Sequence, residues 1–254
     1  MDQKTLETLE YPTILSELAA HCHYQPAREK AVNLTPLTEI DQVVLLQEET
    51  DEAVQLLNHH PGATIGGARN LEPILDDAVR DLILEPGRIQ EVKSTLIAAR
   101  TFTRFLERQE ADYPRLQARV NLLPTISGLV DRIGQVIAED DSVLDSASPA
   151  LTQIRQESKV LRNRLKKKIE RMLQNPAISK HLQEEIITQR GGRYVLPLRA
   201  DARSKVPGIV HDQSASGATI FIEPQGMVEG NNRYRQLELE ERDEINRILR
   251  ELTR

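Results

Sequence analysis

The chain has no tryptophan, three phenylalanines and five tyrosines, so aromatic residues make up only 3% of its 254 positions. A compact β protein depends on such side chains for core volume. With 28% charged residues beside them, the balance points instead to long, solvent-bathed helices. One cysteine, Cys22, excludes an internal disulfide and accords with a reducing compartment. No apolar run is long enough to span a bilayer, so no membrane partner is expected. The opening MDQKTLETLE is acidic and polar, unlike a signal peptide. These features together predict a cytoplasmic protein.

Charge is present but unevenly shared. Residues 1–147 hold 13 Lys and Arg against 25 Asp and Glu, net −12. Residues 148–254 hold 20 against 14, net +6. A basic half on an acidic body is a hint of polyanion binding.

Along the chain, helical spacing dominates. Thr5–His21 reads as an amphipathic helix divided at Pro12, and Thr38–Leu57 as a second with Thr38 as its N-cap. Leu71–Arg80, Pro86–Gln109 and Leu122–Ala138 follow, giving a helical body of about six elements over 1–147. His21-Cys22-His23 does not make a metal site, since neighbours at i and i+2 do not share a helix face and no second ligand cluster completes a set. Ser148-Pro149 then reads as an N-cap followed by Pro at the first helical position. Leu151, Ile154, Ser158, Leu161, Leu165, Ile169 and Met172 recur at intervals of 3 and 4, a coiled-coil-like stripe. Lys and Arg surround that stripe, Arg162 and Lys166 among them. The outgoing arm is expected over 148–190, with a second helix at Ile178–Gln189, and an acidic returning helix over 224–254. Glu238, Glu240, Glu241 and Glu244 of the returning helix are candidates to neutralise the basic run.

Between the arms, residues 191–223 change grammar. Val195–Leu198, Gly208–Val210 and Ala218–Ile222 are short β-prone runs punctuated by Gly, Pro, Asp and Ser, as in a small antiparallel sheet. The expected fold is therefore mainly α: a helical body plus long antiparallel helices carrying a small antiparallel β module at their tip. His211, Asp212, Ser214 and Ser216 contain the letters of a hydrolase triad, but residues 211 and 212 of one strand point to opposite faces, and no Gly-x-Ser-x-Gly elbow occurs. A polyanion contact fits better. Arg193, Arg199, Arg203 and Lys205 supply charge, while Gln213, Ser214 and Ser216 offer hydrogen bonds to phosphate oxygens. Of the two aromatics here, Tyr194 and Phe221, the second lies in an apolar run that reads as core, so base stacking has little support at this level.

The string RYVLPLRADARSKVPGIVHDQSASGATIFIEPQ, continuing to Asn231-Asn232 and a charged helix, resembles the clamp region of the bacterial MutS-II family, MutS paralogues without the mismatch-reading domain. The opening, Leu6-Glu7 to Tyr11 and Ile14 to Leu18, is similar as well. The resemblance implies a core, lever helices and a clamp, in a parent that continues into a dimerising ABC-type ATPase and commonly a Smr nuclease domain. ATP and magnesium would belong to that ATPase. No Gly-x-x-x-x-Gly-Lys-Ser/Thr occurs here, so no ATP hydrolysis is expected of this stretch, which reads as the front part of something longer. The resemblance places ATPase and Smr domains beyond it, so no cofactor and no nuclease activity are expected here either. The family's role implies branched or duplex DNA as partner, a homodimer for the whole protein, and suppression of homologous recombination. Its link to stalled ribosomes makes ribosomal RNA the alternative partner.

Overall fold

The computed structural model describes residues 3–109, 112–124 and 126–254. They are mainly helical, with one small antiparallel sheet. The chain divides into two units, residues 1–143 with 249–254, and residues 144–248. No helix among the described residues is long and apolar enough to cross a membrane.

The first unit is built from α1 (Gln3–Thr8), α2 (Tyr11–Ala20), α3 (Gln25–Val32), α4 (Ile40–His59), α5 (Glu72–Val79), α6 (Pro86–Glu107), α7 (Pro114–Asn121) and α8 (Leu129–Val136). The prolines that interrupt the sequence pattern are helix starters. Pro occupies one of the first two positions of α2, α3, α5, α6 and α7, where its missing N–H has no intrahelical partner to lose. Six helical elements are expected here and eight are described. α3 escapes the pattern because it packs on α2 through small side chains, Ala31 being buried at 5% exposure, which leaves no long apolar stripe. The second helix begins at Ile40 with Glu39 at its cap position and no side-chain cap bond, so Thr38 is not the N-cap. Asp41 in the first turn supplies negative charge to the helix dipole instead. The expected helix over 122–138 shortens to α8, because Gly128 at φ 80° starts it late; Thr125 lies outside the described residues.

Leu56, Leu106 and Tyr113 form a core that joins α4, α6 and α7, with the Tyr113 hydroxyl 3.2 Å from His59 Nδ1. Across the same interface Arg115 pairs with Glu48 at 2.6 Å and Arg119 with Glu49 at 2.8 Å. The Glu52 carboxylate accepts from the backbone N–H groups of Arg115 and Leu116 at 2.9 and 3.0 Å, capping α7 from another helix.

The second unit holds α9 (Pro149–Leu173), the single turn α10 (Pro176–Ser179), strands β1 (Thr188–Arg190), β2 (Arg193–Arg199), β3 (Gly208–Gln213) and β4 (Thr219–Pro224), and α11 (Val228–Thr253), whose last residues belong to the first unit. Ser148 caps α9, its Oγ accepting from Leu151 N at 3.0 Å, and Pro149 follows. Within this unit α9 and α11 run antiparallel. Ser148 meets Glu244, Arg155 meets Glu241, Glu157 meets Arg233, and Leu165 meets Gly230, each partner retreating along α11 as α9 advances. A Cβ at Gly230 would stand 2.7 Å from Leu165 Cδ2, so any larger residue there would force the buried Leu165 side chain to shift.

The helix expected over Ile178–Gln189 does not form beyond α10. Leu182 bridges to Leu198, Gln183 N–H donates to the Pro197 carbonyl, and Arg199 N–H donates to the His181 carbonyl. The free backbone edge of β2 thus captures the chain, and tertiary pairing overrides the local pattern. Sheet order is β1-β2-β4-β3, all antiparallel. Leu196, Leu198, Ile220 and Ile222 pack on Leu165, Ile169 and Leu173 of α9 to form the core of this unit. Gly208 pairs opposite Pro224 so tightly that a Cβ would lie 2.2 Å from the Glu223 carbonyl oxygen. The ladder then skips His211, a β-bulge between Val210 and Asp212.

Candidate nucleic-acid interface

The stripe of α9 that faces the core leaves its Lys and Arg on two flanks. Lys159, Arg162 and Lys166 recur at i, i+3 and i+7 on one side. Arg164, Lys167 and Arg171 line the other. All six are exposed, and among the described residues none makes an ion pair. The acidic returning helix does not neutralise them. Of the basic run only Arg155 reaches it, pairing with Glu241 at 2.7 Å and also with Asp145. Lys168 donates to the Gly226 carbonyl. The other three candidate acids of α11 pair with its own arginines, Glu238 with Arg235 at 2.9 Å, Glu240 with Arg233 at 3.0 Å and Glu244 with Arg247 at 2.7 Å. Arg247 and the Ser148 hydroxyl bring the Glu244 carboxyl down to about 2, against the opposing effect of burial. Arg162 also lies close enough to Tyr194 of β2 for its charge to favour the phenolate, although burial dominates and pushes that hydroxyl up.

The sheet treats its cations differently. Glu223 is completely buried, the one carboxylate inside the apolar run of β4. Its oxygens receive Arg193 Nη1 at 2.9 Å, Asn231 Nδ2 at 2.7 Å and His211 Nε2 at 2.6 Å. Burial pushes the Glu223 carboxyl up, but the hydrogen bonds from Asn231, His211 and Arg193 together outweigh it and hold it below the usual range. An ionised carboxylate only accepts, so His211 Nε2 carries the proton. Arg193 Nη2 donates to Asn232 Oδ1 at 2.7 Å as well, which commits this guanidinium to the fold. Asn231 completes the ladder. Continuing the β2–β4 register sets Tyr194 opposite Pro224, which has no N–H, and the Asn231 amide supplies both bonds to the Tyr194 backbone at 3.1 Å.

Arg199 pairs with Asp201 at 3.0 Å on the surface. Arg203 and Lys205 are exposed on the 3-10 turn Ala200–Lys205, without an ion pair among the described residues. Gln213, Ser214 and Ser216 sit together in the β3–β4 hairpin. Gln213 Nε2 donates to the Gly217 carbonyl at 3.1 Å, and Ser214 Oγ accepts from Thr219 N at 3.0 Å. Ser216 is exposed, its hydroxyl 3.4 Å from that of Ser214. The structure therefore gathers Arg162 and Lys166 on one helix flank, Arg203 and Lys205 on one turn, and the three polar residues in one loop, while Arg193 turns to Glu223.

The hydrolase letters do not assemble. The carboxylate partner of His211 is Glu223, not Asp212, and Asp212 pairs with Arg190 at 3.0 Å. Among the described residues no group of three His, Cys, Asp or Glu fits a metal ion. Sequence reasoning passed over Arg190, Glu223 and Asn231. The signal for Glu223 was legible as a lone carboxylate between Ile222 and Pro224 of an apolar strand, which must find buried partners.

No family model matches the chain. Individual relatives do. A protein named endonuclease MutS2 from Pelotomaculum thermopropionicum is 41% identical over 253 residues, covering 100% of this chain and 32% of that protein. The endonuclease MutS2 of Symbiobacterium thermophilum is likewise 41% identical over 253 residues, with the same coverage. That of Bacillus velezensis is 36% identical over 256 residues, 100% of this chain and 33% of its own length. The similarity runs from end to end of the chain and is consistent with a segment of a MutS-II family protein. It spans about a third of the length of these relatives, in their N-terminal part.

Proposed function

We propose that this chain is the non-catalytic, DNA-embracing core, lever and clamp of a MutS-II protein, with branched DNA as its target. The observation that carries the reading is the set of six exposed cations on α9 left without acidic partners, although the acid-rich α11 runs antiparallel beside it. Solvated cations in rows release counterions when they meet phosphates, and such interactions hold a backbone in place without reading sequence. Arg203, Lys205 and the 213–216 hairpin extend the surface at the sheet. In the longer parent, a homodimeric ATPase would use ATP and magnesium to open and close the levers around the DNA.

Fluorescence anisotropy with a four-way junction and a matched linear duplex, across a salt series, tests this. Wild type should prefer the junction and lose affinity steeply with salt. The Lys159/Arg162/Lys166→Ala variant should bind weakly, with a log–log salt slope shallower by about 0.9 for each phosphate it no longer neutralises. Equal, salt-insensitive behaviour of the two proteins would sink the reading. Preferential retention by ribosomes over junction DNA would assign the same surface to ribosomal RNA.

A further inference from the structure

Arg190 lies outside the basic surfaces described above and is held in an unusual way. It belongs to β1, at one edge of the sheet, yet its side chain passes β2 to reach β4 and β3. Alternation fixes which face it crosses. Leu196, Leu198, Ile220 and Ile222 point to α9, so Phe221 points the other way. The Arg190 guanidinium carbon stands 3.9 Å from the Phe221 ring centroid. One edge of the guanidinium is pinned by Asp212 Oδ2, 3.0 Å from Nε, and another by the Gln189 carbonyl, 2.9 Å from Nη1. Phe221 beneath is only 8% exposed, whereas the Arg190 side chain keeps 40% of its surface. What remains open is the outer face of a planar cation whose orientation is already set.

We propose that the Arg190 guanidinium, backed by Phe221, is a stacking platform for an unpaired nucleobase, so that the clamp takes nucleic acid with unstacked or single-stranded bases in preference to continuous duplex. The proposal rests on the nucleic-acid reading above and names the substrate class within it. Bases stack on guanidinium planes as well as on aromatic rings, and they do so only when splayed out of a helix. Holding the plane in advance removes the ordering cost that a free arginine would bring to the interaction. Asp212 lies in the same hairpin as Gln213 and Ser216, so phosphate-binding groups stand one to four residues from the residue that pins the platform. The scarcity of aromatic residues is thereby resolved: Phe221 is core, and it serves stacking through the arginine it carries.

The test uses the 254-residue chain with a short single strand carrying one fluorescent base analogue that dims on stacking, and the same strand annealed as duplex. Wild type should bind the single strand more tightly and dim the analogue. Arg190→Lys keeps the charge and removes the plane. It should abolish dimming and weaken single-strand binding about tenfold, the lower part of the range for losing one stacked base. Duplex affinity and the salt slope should not change. Unchanged dimming and affinity in Arg190→Lys overturn the platform while leaving the phosphate surface standing, whereas failure of wild type to bind any nucleic acid overturns both. If Arg190→Lys melts early, Asp212→Asn, which frees one edge of the guanidinium but leaves it on Phe221, replaces it and must weaken single-strand binding in the same sense; no weakening there overturns the platform.

Discussion

The two units arrange positive charge differently. In the first, four arginines are paired, Arg88 with Asp77, Arg115 with Glu48, Arg119 with Glu49 and Arg254 with Asp81, while exposed arginines such as Arg100, Arg104 and Arg132 are scattered, without an ion pair among the described residues. These pairs strap helices together within an acid-rich body. In the second, a 25-residue helix keeps six cations in solvent while acids on the antiparallel neighbour turn to other partners. Net charge alone would not separate these cases. A cation already paired offers little to an incoming phosphate, because the new partner must first displace an old one.

The largest effect that would break this comparison is loss of binding. Lys159/Arg162/Lys166→Ala should remove most nucleic-acid affinity in the anisotropy assay. Arg88/Arg115/Arg119→Ala, the same number of charges taken from the first unit, should leave it within twofold, a change of about 0.4 kcal/mol. Comparable losses from both triples would erase the distinction. Next in size is Arg193, a cation of the second unit that is paired inside the fold. Glu223→Ala leaves Arg193 and Asn231 facing an empty site and should cost about 3–5 kcal/mol, read from denaturant midpoints. Glu223→Gln keeps the shape and should cost less.

That same carboxylate sets an acid limit. Its folded value is depressed, so its contribution is fully present above the ordinary carboxylate range and disappears as pH falls through the lowered value. Glu244 behaves alike, its contribution fading from the ordinary carboxylate range down to about 2. Thermal melts across this range should show a flatter acid limb in Glu223→Gln than in wild type, and an identical limb would remove Glu223 from the account. The smallest effect is at the start of α9. Ser148→Ala deletes the N-cap and the hydroxyl bound to Glu244, and should lower stability by about 1 kcal/mol without altering the salt slope of binding.

How far the sequence led depends on how local the cause was. The α9 stripe, the Ser148-Pro149 start and the three β-prone runs were legible because each is written in neighbouring residues. A mainly helical chain with a small antiparallel sheet followed from them, but the strand order and the fourth strand, β1, did not. Elements with remote causes were not legible. The chain after α10 has a helical pattern, but the unpaired edge of β2 takes it. Arg193 reads as a solvent cation until Glu223 is found 30 residues away in the chain and 2.9 Å away in space. Tyr194 and Asn231 look unrelated in sequence, and only the proline at 224 explains why one must complete the other's ladder.

The bulge at His211 has a consequence for how crowded copies behave. β3 is an edge strand exposed along its whole length, with Ile209 and Val210 at 46% and 37% exposure. A flat apolar edge of this kind invites a neighbouring chain to add itself as another strand. Skipping one residue kinks the strand after Val210, so no straight intruder can match more than a short run of its backbone groups before falling out of step. One extra residue thus guards against aggregation at a place where charge alone would not.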